Sequence, residues 1–359
     1  MKAALLKSFG TPLAIETVPD PVLGTGEVIV DVAATAMLAY AREVYSGKRN
    51  YLLDLPVVPG SGGIGCVRAV GPDATRLAPG DWVYCDPTVR SRDDSVSPDI
   101  LLQGLTAATE GGRILHRHFH DGSFAEQTRV PTENLTRLGT IDPTEAPRWC
   151  GLGRLLVPYG GFLVAGLKAG EIVVVNGGTG AFGSAAVAVA LAIGARAVIA
   201  TGRNGAVLDE VARRYGKRVL PVQMQGDEEQ DRARILAAAP GPIDCVLDIL
   251  LPAASPAQVR TALLTVRPYG RVVLMGGVGM AGGPGVDLPY AWLMRNCITI
   301  HGKWMYPREA PGQMIAMVRA GLIDLDALAV TTFGLDDIND AVAHAAANAG
   351  PFTMTVVVS

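Results

Sequence analysis

The stretch VVVNGGTGAFG, residues 173–183, decides the fold of this chain. An apolar run leads into it, its glycines show the spacing GxGxxG at Gly178, Gly180 and Gly183, and a helical apolar run follows. Gly178 permits a tight turn, Gly180 leaves room for a pyrophosphate beside the backbone, and Gly183 lets the helix pack close to the strand. The free N–H groups at the start of the helix then face the phosphates. Such a turn can also occur without a ligand, but its place between a strand, a helix and a second strand predicts dinucleotide binding.

The segments around this turn predict an α/β fold with a doubly wound parallel sheet. Short apolar runs alternate with helical runs in the second half of the chain. The predicted strands and helices of this half are 172–176, 181–193, 197–200, 206–215, 244–249, 271–275 and 298–301. Wholly apolar strands interleaved with helices are typical of a parallel sheet that is covered on both faces.

The first third of the chain and its end predict a separate β-rich domain. Prolines and glycines separate apolar or alternating runs, which predict strands at 3–6, 27–32, 63–70, 81–85, 124–130 and 353–358. This punctuation favours a small irregular barrel over helices.

The composition excludes several classes of protein. Of the 359 residues, 49% are hydrophobic and 18% are charged, which is unlike an intrinsically disordered chain. The net charge of -3 lacks the basic footprint of a nucleic-acid binder. The five cysteines are scattered without a CxxC pair and predict a reduced, cytoplasmic setting. The longest apolar run is broken by Gly194 and Arg196, so we expect no membrane span.

The end of the second strand of the sheet decides between NADH and NADPH. A site that prefers NAD places Asp or Glu about 20 residues after the glycines, where it holds the ribose 2′-hydroxyl. Here the chain has TGRN at residues 201–204, with no acid before Asp209. Arg203 can bind a 2′-phosphate through charge-assisted hydrogen bonds, whereas an acid would repel that phosphate. We therefore predict NADPH as the cofactor.

The predicted cofactor site combines the glycine-rich turn, the end of the second strand and the glycines that follow two later strands. Its residues are Gly178, Thr179, Gly180, Ala181, Phe182, Gly183, Thr201, Gly202, Arg203, Asn204, Gly276 and Gly302. Arg203 is expected to select the 2′-phosphate, and the alternative is that it only caps a surface loop.

Five further segments, in order around the glycine-rich turn, carry a family resemblance. They are PGSGGIG at 59–65, GDWV at 80–83, GSFAE at 122–126, GRVV at 270–273 and FGLDDI at 333–338. With them, essentially the whole chain resembles the medium-chain dehydrogenase/reductase superfamily. The resemblance implies a GroES-like barrel formed by residues 1–151 and 305–359, and a Rossmann domain at 152–304. It also implies a homodimer joined through the edge strand within 296–304.

The resemblance stops at the zinc ligands of the zinc-dependent members. Those members hold zinc with a Cys, the His and often the Glu of a GHE segment, and a second Cys. The corresponding positions of this chain are Leu38, Ser61, Gly62 and Cys150, and residues 90–112, the place of the structural zinc lobe, contain no cysteine. One thiolate cannot hold a catalytic zinc, which takes three protein ligands. The chain is therefore similar to the zinc-free branch of quinone oxidoreductases and enone or enal reductases, and no metal is predicted.

A histidine cluster leaves one metal alternative open. His116, His118 and His120 would share one face if residues 114–120 formed a strand. Imidazoles that share a face can bind a metal. The other interpretation is a solvated strand face or loop.

Without zinc, hydrogen-bond donors must polarise the substrate while NADPH delivers hydride. Tyr40 is the predicted proton donor, since the resemblance places it where zinc-dependent relatives carry the Ser or Thr of their proton relay. The alternative is that Tyr40 is a core residue, and Tyr45, Tyr51 and Tyr84 are weaker rivals for the role.

The predicted substrate-binding residues are Leu38, Ser61, Trp82 and Arg154. The apolar and aromatic members suit an apolar or aromatic substrate. Arg154 is expected to recognise an acidic substrate or a cofactor group, and the alternative is a plain surface position.

The sequence thus predicts a zinc-independent, NADPH-dependent oxidoreductase that transfers hydride to an activated alkene, quinone or carbonyl. Two alternatives stay open. One is an alcohol dehydrogenase or an imine-reducing relative of a biosynthetic pathway. The other is a catalytically silent NADPH-binding sensor or structural protein on the same fold.

Overall fold

The computed structural model describes residues 1–280 and 282–359, which form two compact units. The β-rich unit contains Met1–Gly153, Leu325–Ala349 and Thr353–Ser359, so both ends of the chain contribute to it. The second unit contains Arg154–Asp324 and Gly350–Phe352.

The strands in chain order are β1 (Lys2–Leu5), β2 (Ala14–Thr17), β3 (Glu27–Met37), β4 (Gly63–Val70), β5 (Trp82–Cys85), β6 (Thr88–Arg90), β7 (Ile100–Leu102), β8 (Thr106–Ala107), β9 (Gln127–Pro131), β10 (Leu135–Arg137), β11 (Ile172–Asn176), β12 (Ala197–Gly202), β13 (Val219–Gln223), β14 (Ile243–Asp248), β15 (Val266–Leu274), β16 (Thr299–Gly302), β17 (Ala329–Gly334) and β18 (Thr353–Val358). The helices in chain order are α1 (Ala41–Tyr45), α2 (Glu110–His118), α3 (Ala146–Trp149), α4 (Leu152–Ala165), α5 (Ala181–Ile193), α6 (Gly205–Tyr215), α7 (Glu228–Ala238), α8 (Pro256–Leu263), α9 (Tyr290–Arg295), α10 (Ala310–Arg319) and α11 (Ile338–Ala347).

The second boundary between the units lies after Asp324, whereas the resemblance places it after residue 304. Helix α10 is the reason, because it belongs to the second unit. The Tyr159 hydroxyl on α4 donates a hydrogen bond to Gln313 of α10 at 2.7 Å. Met314 of α10 is fully buried.

The main sheet of the β-rich unit has the strand order β10-β5-β4-β3-β18-β17, and β9 also pairs with β3. The last strand of the chain lies antiparallel to β3, with Thr355 opposite Met37, so the two ends of the sequence share one sheet. Val28, Val67 and Val130 pack in its core. The long strand β3 is buried at most of its positions, which agrees with the prediction of a β-rich domain.

The sheet of the second unit has the order β13-β12-β11-β14-β15-β16, and every neighbouring pair is parallel. Strand β11 is buried along its whole length. The order reverses between β11 and β14, and open α/β sheets bind ligands at such a reversal, outside the carboxyl ends of the strands. The doubly wound parallel sheet predicted from the sequence is therefore confirmed.

The predictions about a membrane span and about the cysteines can be compared with the structure. Among residues 1–280 and 282–359, no helix combines the length and the apolar character needed to span a bilayer. All five cysteines are free thiols.

The edge strand β16 carries exposed apolar residues around it. Among residues 1–280 and 282–359, strand β16 pairs with β15 and with no other strand. Helix α9 leads into it and exposes Tyr290 and Met294, and Tyr269 beside it is 73% exposed. An open edge with apolar surroundings favours pairing with a second chain.

We therefore expect a homodimer at micromolar concentration, as the resemblance implies. Light scattering should give twice the chain mass of 37.5 kDa. A Tyr290→Glu/Met294→Glu variant should shift the mass to that of one chain, because two charges on this surface oppose burial.

The matched control is Leu236→Glu, since Leu236 is similarly exposed but lies on α7, away from this edge. That variant should keep the dimer mass. A monomeric mass for the unmodified protein would contradict the homodimer.

Candidate functional site

The glycine-rich turn joins β11 to α5 and is built by close backbone packing. Gly177 has φ +101°, so the left-handed step of the turn lies at Gly177 rather than at Gly178. A Cβ at Gly178 would lie 2.9 Å from the Cβ of Ala200 on β12. A Cβ at Gly183 would lie 2.0 Å from the carbonyl oxygen of Gly177, so only glycine lets α5 approach the turn this closely.

The start of α5 offers an anion site. Gly180 is the N-cap residue and has no side chain to cap the helix. A Cβ at Gly180 would meet only the Gly177 oxygen, at 3.7 Å, so the space beside the turn is open. The first N–H groups of a helix lack partners within it and attract phosphate. This open cradle fits the pyrophosphate of a dinucleotide.

The end of β12 lies against the same turn. A Cβ at Gly202 would lie 2.5 Å from Thr179 Cγ2, so the turn and the end of β12 pack together. Asn204 caps α6 by accepting a hydrogen bond from the Val207 N–H at 3.2 Å. The helix cap at this point is therefore Asn204, and the role of Arg203 stays a prediction. The Arg203 side chain is exposed, and among the described residues its guanidinium has no ion pair.

A buried network of polar side chains, which the sequence did not predict, links the carboxyl ends of strands β11, β12 and β14. Asp248, at the end of β14, accepts a hydrogen bond from Asn176 Nδ2 at 2.8 Å, and Asn176 Oδ1 accepts one from the Thr201 hydroxyl at 2.8 Å. Burial raises the pKa of Asp248 to about 7. A Cβ at Gly276 would lie 2.5 Å from Asp248 Oδ2, whereas nothing lies within 4 Å of one at Gly302. The sequence signal that could have predicted this network is the polar residue near the end of each of the three apolar strands that it joins.

Tyr40 lies directly before α1 in the β-rich unit. The Arg49 guanidinium stacks on its ring, 3.9 Å from the centroid, and the Tyr51 side chain lies nearby. Burial raises the pKa of Tyr40 well above its usual range, so the phenol is protonated at neutral pH. The rival Tyr45 is 8% exposed and belongs to the core. The rival Tyr84, on β5, is also buried.

The residues at the implied zinc position do not fit zinc. The Cys150 thiol is buried and donates a hydrogen bond to the Ala146 carbonyl at 3.6 Å, and burial raises its pKa well above the usual range. Leu38 and Gly62 offer no side-chain ligand, and Ser61 offers only a hydroxyl. Among the described residues, no group of three or more His, Cys, Asp or Glu side chains is placed to hold a metal ion.

The predicted substrate-binding residues fall in both units. Leu38, Ser61 and Trp82 are half-buried in the β-rich unit. Arg154 lies in the second unit, where its Nη1 donates a hydrogen bond to the Pro351 carbonyl at 3.4 Å. The residue is half-buried, and burial lowers the pKa of its guanidinium to about 10.

The expected strand at the histidine cluster is wrong, because residues 110–118 form helix α2. Thr109 caps this helix by accepting a hydrogen bond from the Gly112 N–H at 3.0 Å. His116 on the helix stacks on His120, which follows it, with centroids 4.8 Å apart, whereas His118 bonds to Glu27 at 2.6 Å. The three imidazoles therefore do not share one face.

Comparisons with known proteins support this architecture. The family model for the alcohol dehydrogenase GroES-like domain matches residues 24–140, and that for zinc-binding dehydrogenase matches residues 181–320. An alcohol dehydrogenase of Geobacillus stearothermophilus is 27% identical over 285 residues, 77% of each chain. An acryloyl-coenzyme A reductase of Metallosphaera sedula is 30% identical over 228 residues, 61% of this chain and 64% of the relative. The same fold occurs in a Sinorhizobium meliloti 1021 structure described as a zinc-binding dehydrogenase bound to NADP, with a TM-score of 0.78 at 20% identity, covering 100% of this chain and 99% of that one.

The GroES-like and Rossmann parts define an oxidoreductase of the nicotinamide-dependent kind. The chain belongs to the medium-chain dehydrogenase/reductase superfamily. The second family model and the Sinorhizobium structure carry zinc-binding in their names, so membership of the zinc-free branch stays a prediction.

The donor set at Cys150 predicts that the purified protein carries well under one zinc per chain and keeps its activity in a chelator, since one protonated thiol cannot hold the ion. Elemental analysis after dialysis measures the zinc content. Cys150→Ala should leave both zinc content and activity unchanged. About one tightly bound zinc per chain would contradict this prediction.

Proposed function

We propose that this protein is a zinc-independent, NADPH-dependent oxidoreductase that transfers hydride to an activated alkene, quinone or carbonyl. The observation that carries the proposal is the exposed Arg203, which stands where an NAD-preferring site has an acid. It directly follows Gly202, the last residue of β12, which lies against Thr179 of the glycine-rich turn. The NADP in the Sinorhizobium structure supports the same choice.

The geometry around Tyr40 supports a role as proton donor. A bound nicotinamide supplies hydride, and the protein must then supply a proton to the oxygen or carbon that gains negative charge. Burial keeps the Tyr40 hydroxyl protonated until a stronger acceptor forms. The stacked Arg49 guanidinium stabilises the phenolate that develops as the proton leaves.

The proposed substrate class follows from the groups that can polarise the reacting bond of the substrate. A neutral phenol, rather than a Lewis acid, suits a substrate that is already activated, such as a conjugated alkene or a quinone. The acryloyl-coenzyme A reductase relative acts, by its name, on such an alkene. Leu38 and Trp82 favour an apolar or aromatic substrate.

A second candidate is an alcohol dehydrogenase. The names of several relatives favour it, including the one from Geobacillus stearothermophilus. The donor set around Cys150 argues against zinc-assisted alcohol oxidation, because the remaining positions carry no ligand for zinc. The cytoplasm is the proposed location, since five free thiols suit a reducing compartment.

Arg203→Ala should weaken the preference for NADPH about ten- to a hundredfold, because hydrogen bonds to charged groups contribute about 1.5–3 kcal/mol. The use of NADH should barely change. Initial rates with both cofactors, on a panel of enones, quinones and aldehydes, give the preference as a ratio of kcat/KM values.

Arg213→Ala is the matched control, since Arg213 is an exposed arginine near the end of α6. It should leave the ratio unchanged. Preference of the unmodified protein for NADH, or equal loss of both cofactors in Arg203→Ala, would show that Arg203 does not read the 2′-phosphate.

Tyr40→Phe should lower turnover about 10²–10⁴-fold while the NADPH affinity is unchanged, because it removes a positioned general acid but keeps the ring under Arg49. Turnover per folded molecule and the NADPH dissociation constant are the measurements. Tyr45→Phe, which removes a nearby core hydroxyl, should keep turnover. Retained turnover in Tyr40→Phe ends the proposal for this residue, and NADPH binding without reduction of any panel member favours the silent sensor.

A further inference from the structure

The carboxyl of Asp248 is buried at the place where the strand order of the parallel sheet reverses. Asp248 ends β14 and lies opposite Asn176, which ends β11, in the parallel register of the two strands. Its side chain is 3% exposed. The strand order reverses between these two strands, which is where such sheets bind their ligands.

A continuous chain of hydrogen bonds leads from this carboxyl to the glycine-rich turn. Asn176 donates to Asp248 and accepts from the Thr201 hydroxyl, each at 2.8 Å. The Thr201 carbonyl in turn accepts a hydrogen bond from the Gly178 N–H at 2.8 Å. Asn176 and Thr201 are buried, so no water competes for these bonds. These bonds therefore couple the position of the Asp248 carboxyl to the backbone of the glycine-rich turn, which is the proposed pyrophosphate site.

The groups that contact the Asp248 carboxyl are uncharged. From β11 it faces the Asn176 amide, from the segment after β14 the Leu250 N–H, and from the end of β15 the backbone of Gly276. Among the described residues, no histidine, arginine, lysine or second carboxyl contributes to its titration. Burying an acid without a counter-charge costs stability, which an amide or apolar residue would avoid. Its presence at this point therefore indicates a use beyond packing.

We propose that Asp248 is a positioning residue which, through Asn176 and Thr201, holds the glycine-rich turn in the conformation that binds the cofactor. Loss of its charge loosens the turn and weakens cofactor binding. The inference rests on the proposed function for the identity of the cofactor, but not for the order of the turn.

The charge of Asp248 changes within an accessible pH range, since burial raises its pKa to about 7. The direction of the pH dependence follows from the raised pKa of Asp248. A carboxyl whose pKa is raised in the folded state favours folding when protonated, and this contribution is lost as the pH rises from the ordinary carboxyl range through about 7. The carboxylate, however, is the stronger acceptor for Asn176. Order in the turn and cofactor affinity should therefore rise with pH over the same range in which this residue's contribution to global stability falls.

Two measurements on the full-length protein test the proposal. Amide hydrogen exchange of the peptide that covers residues 176–184, without cofactor and corrected for intrinsic rates, reports the order of the turn at pH 6 and pH 8. Fluorescence titration with NADPH gives the dissociation constant at the same pH values. In the unmodified protein, exchange should be slower and affinity about five- to tenfold higher at pH 8, as expected from the difference between charged and neutral acceptors.

Asp248→Asn should show fast exchange and weak binding at both pH values. The control is Asp231→Asn, because Asp231 is an equally buried carboxyl of the same unit that bonds to Gln225, Gly226 and Arg234 on the α7 side of the sheet. It should lower stability and leave the turn unchanged. The 2′-phosphate of NADPH also titrates near pH 6, but this contribution is common to all variants.

Unchanged exchange and affinity in Asp248→Asn would overturn the proposal. If that variant does not fold, exchange of the turn that is equal at pH 6 and pH 8 in the unmodified protein overturns it instead. A protein that binds no NADPH but shows the pH-dependent exchange would refute the proposed function and leave the positioning role of Asp248 supported.

Discussion

The close approach of helix α5 to the turn after β11 is the constraint on which the nucleotide-binding unit depends. A single Cβ at Gly183 would lie 2.0 Å from the Gly177 oxygen, so any side chain there would force the helix away from the turn. The approach leaves the first N–H groups of α5 beside the open space at Gly180. Because β12 and β14 flank β11, Thr201 and Asp248 at the ends of these strands lie beneath the turn. Cofactor binding thus follows from backbone packing more than from any one side chain.

Burial sets the protonation of the groups that matter in both units. The Tyr40 phenol stays protonated and can donate, and the Cys150 thiol stays protonated and is therefore a poor metal ligand. Asp248 ionises near neutrality because its surroundings offer hydrogen bonds but no opposite charge. Desolvation, rather than ion pairing, is the common cause of these three states.

The sequence predicted best where hydrophobic runs end at glycine or at a strongly polar residue. The predicted bounds of β11, α5 and β18 agree with the structure because apolar periodicity and glycine stops coincide there. The sequence does not predict helix α2, because its alternating histidines also fit a strand and its main helical signal is the single cap at Thr109. Burial patterns could not place the boundary after Asp324, since it depends on the packing of α10.

The candidate site was predictable only in part, for a physical reason. A turn that binds phosphate is local, so its glycines and Arg203 could be read from neighbouring residues. The link from Asp248 to Asn176 and Thr201 joins three strands that are far apart in sequence, and it exists only once the sheet has formed. The Arg49 contact with Tyr40 and the bond from Arg154 to Pro351 likewise depend on tertiary packing.

The dissociation constants of NADPH and NADH, measured side by side on protein treated with a chelator, test the central claim most directly. The account predicts that NADPH binds at least about tenfold more tightly, as one or more charge-assisted bonds to the 2′-phosphate require. Equal or tighter binding of NADH, or binding that returns only when zinc is added, would contradict it.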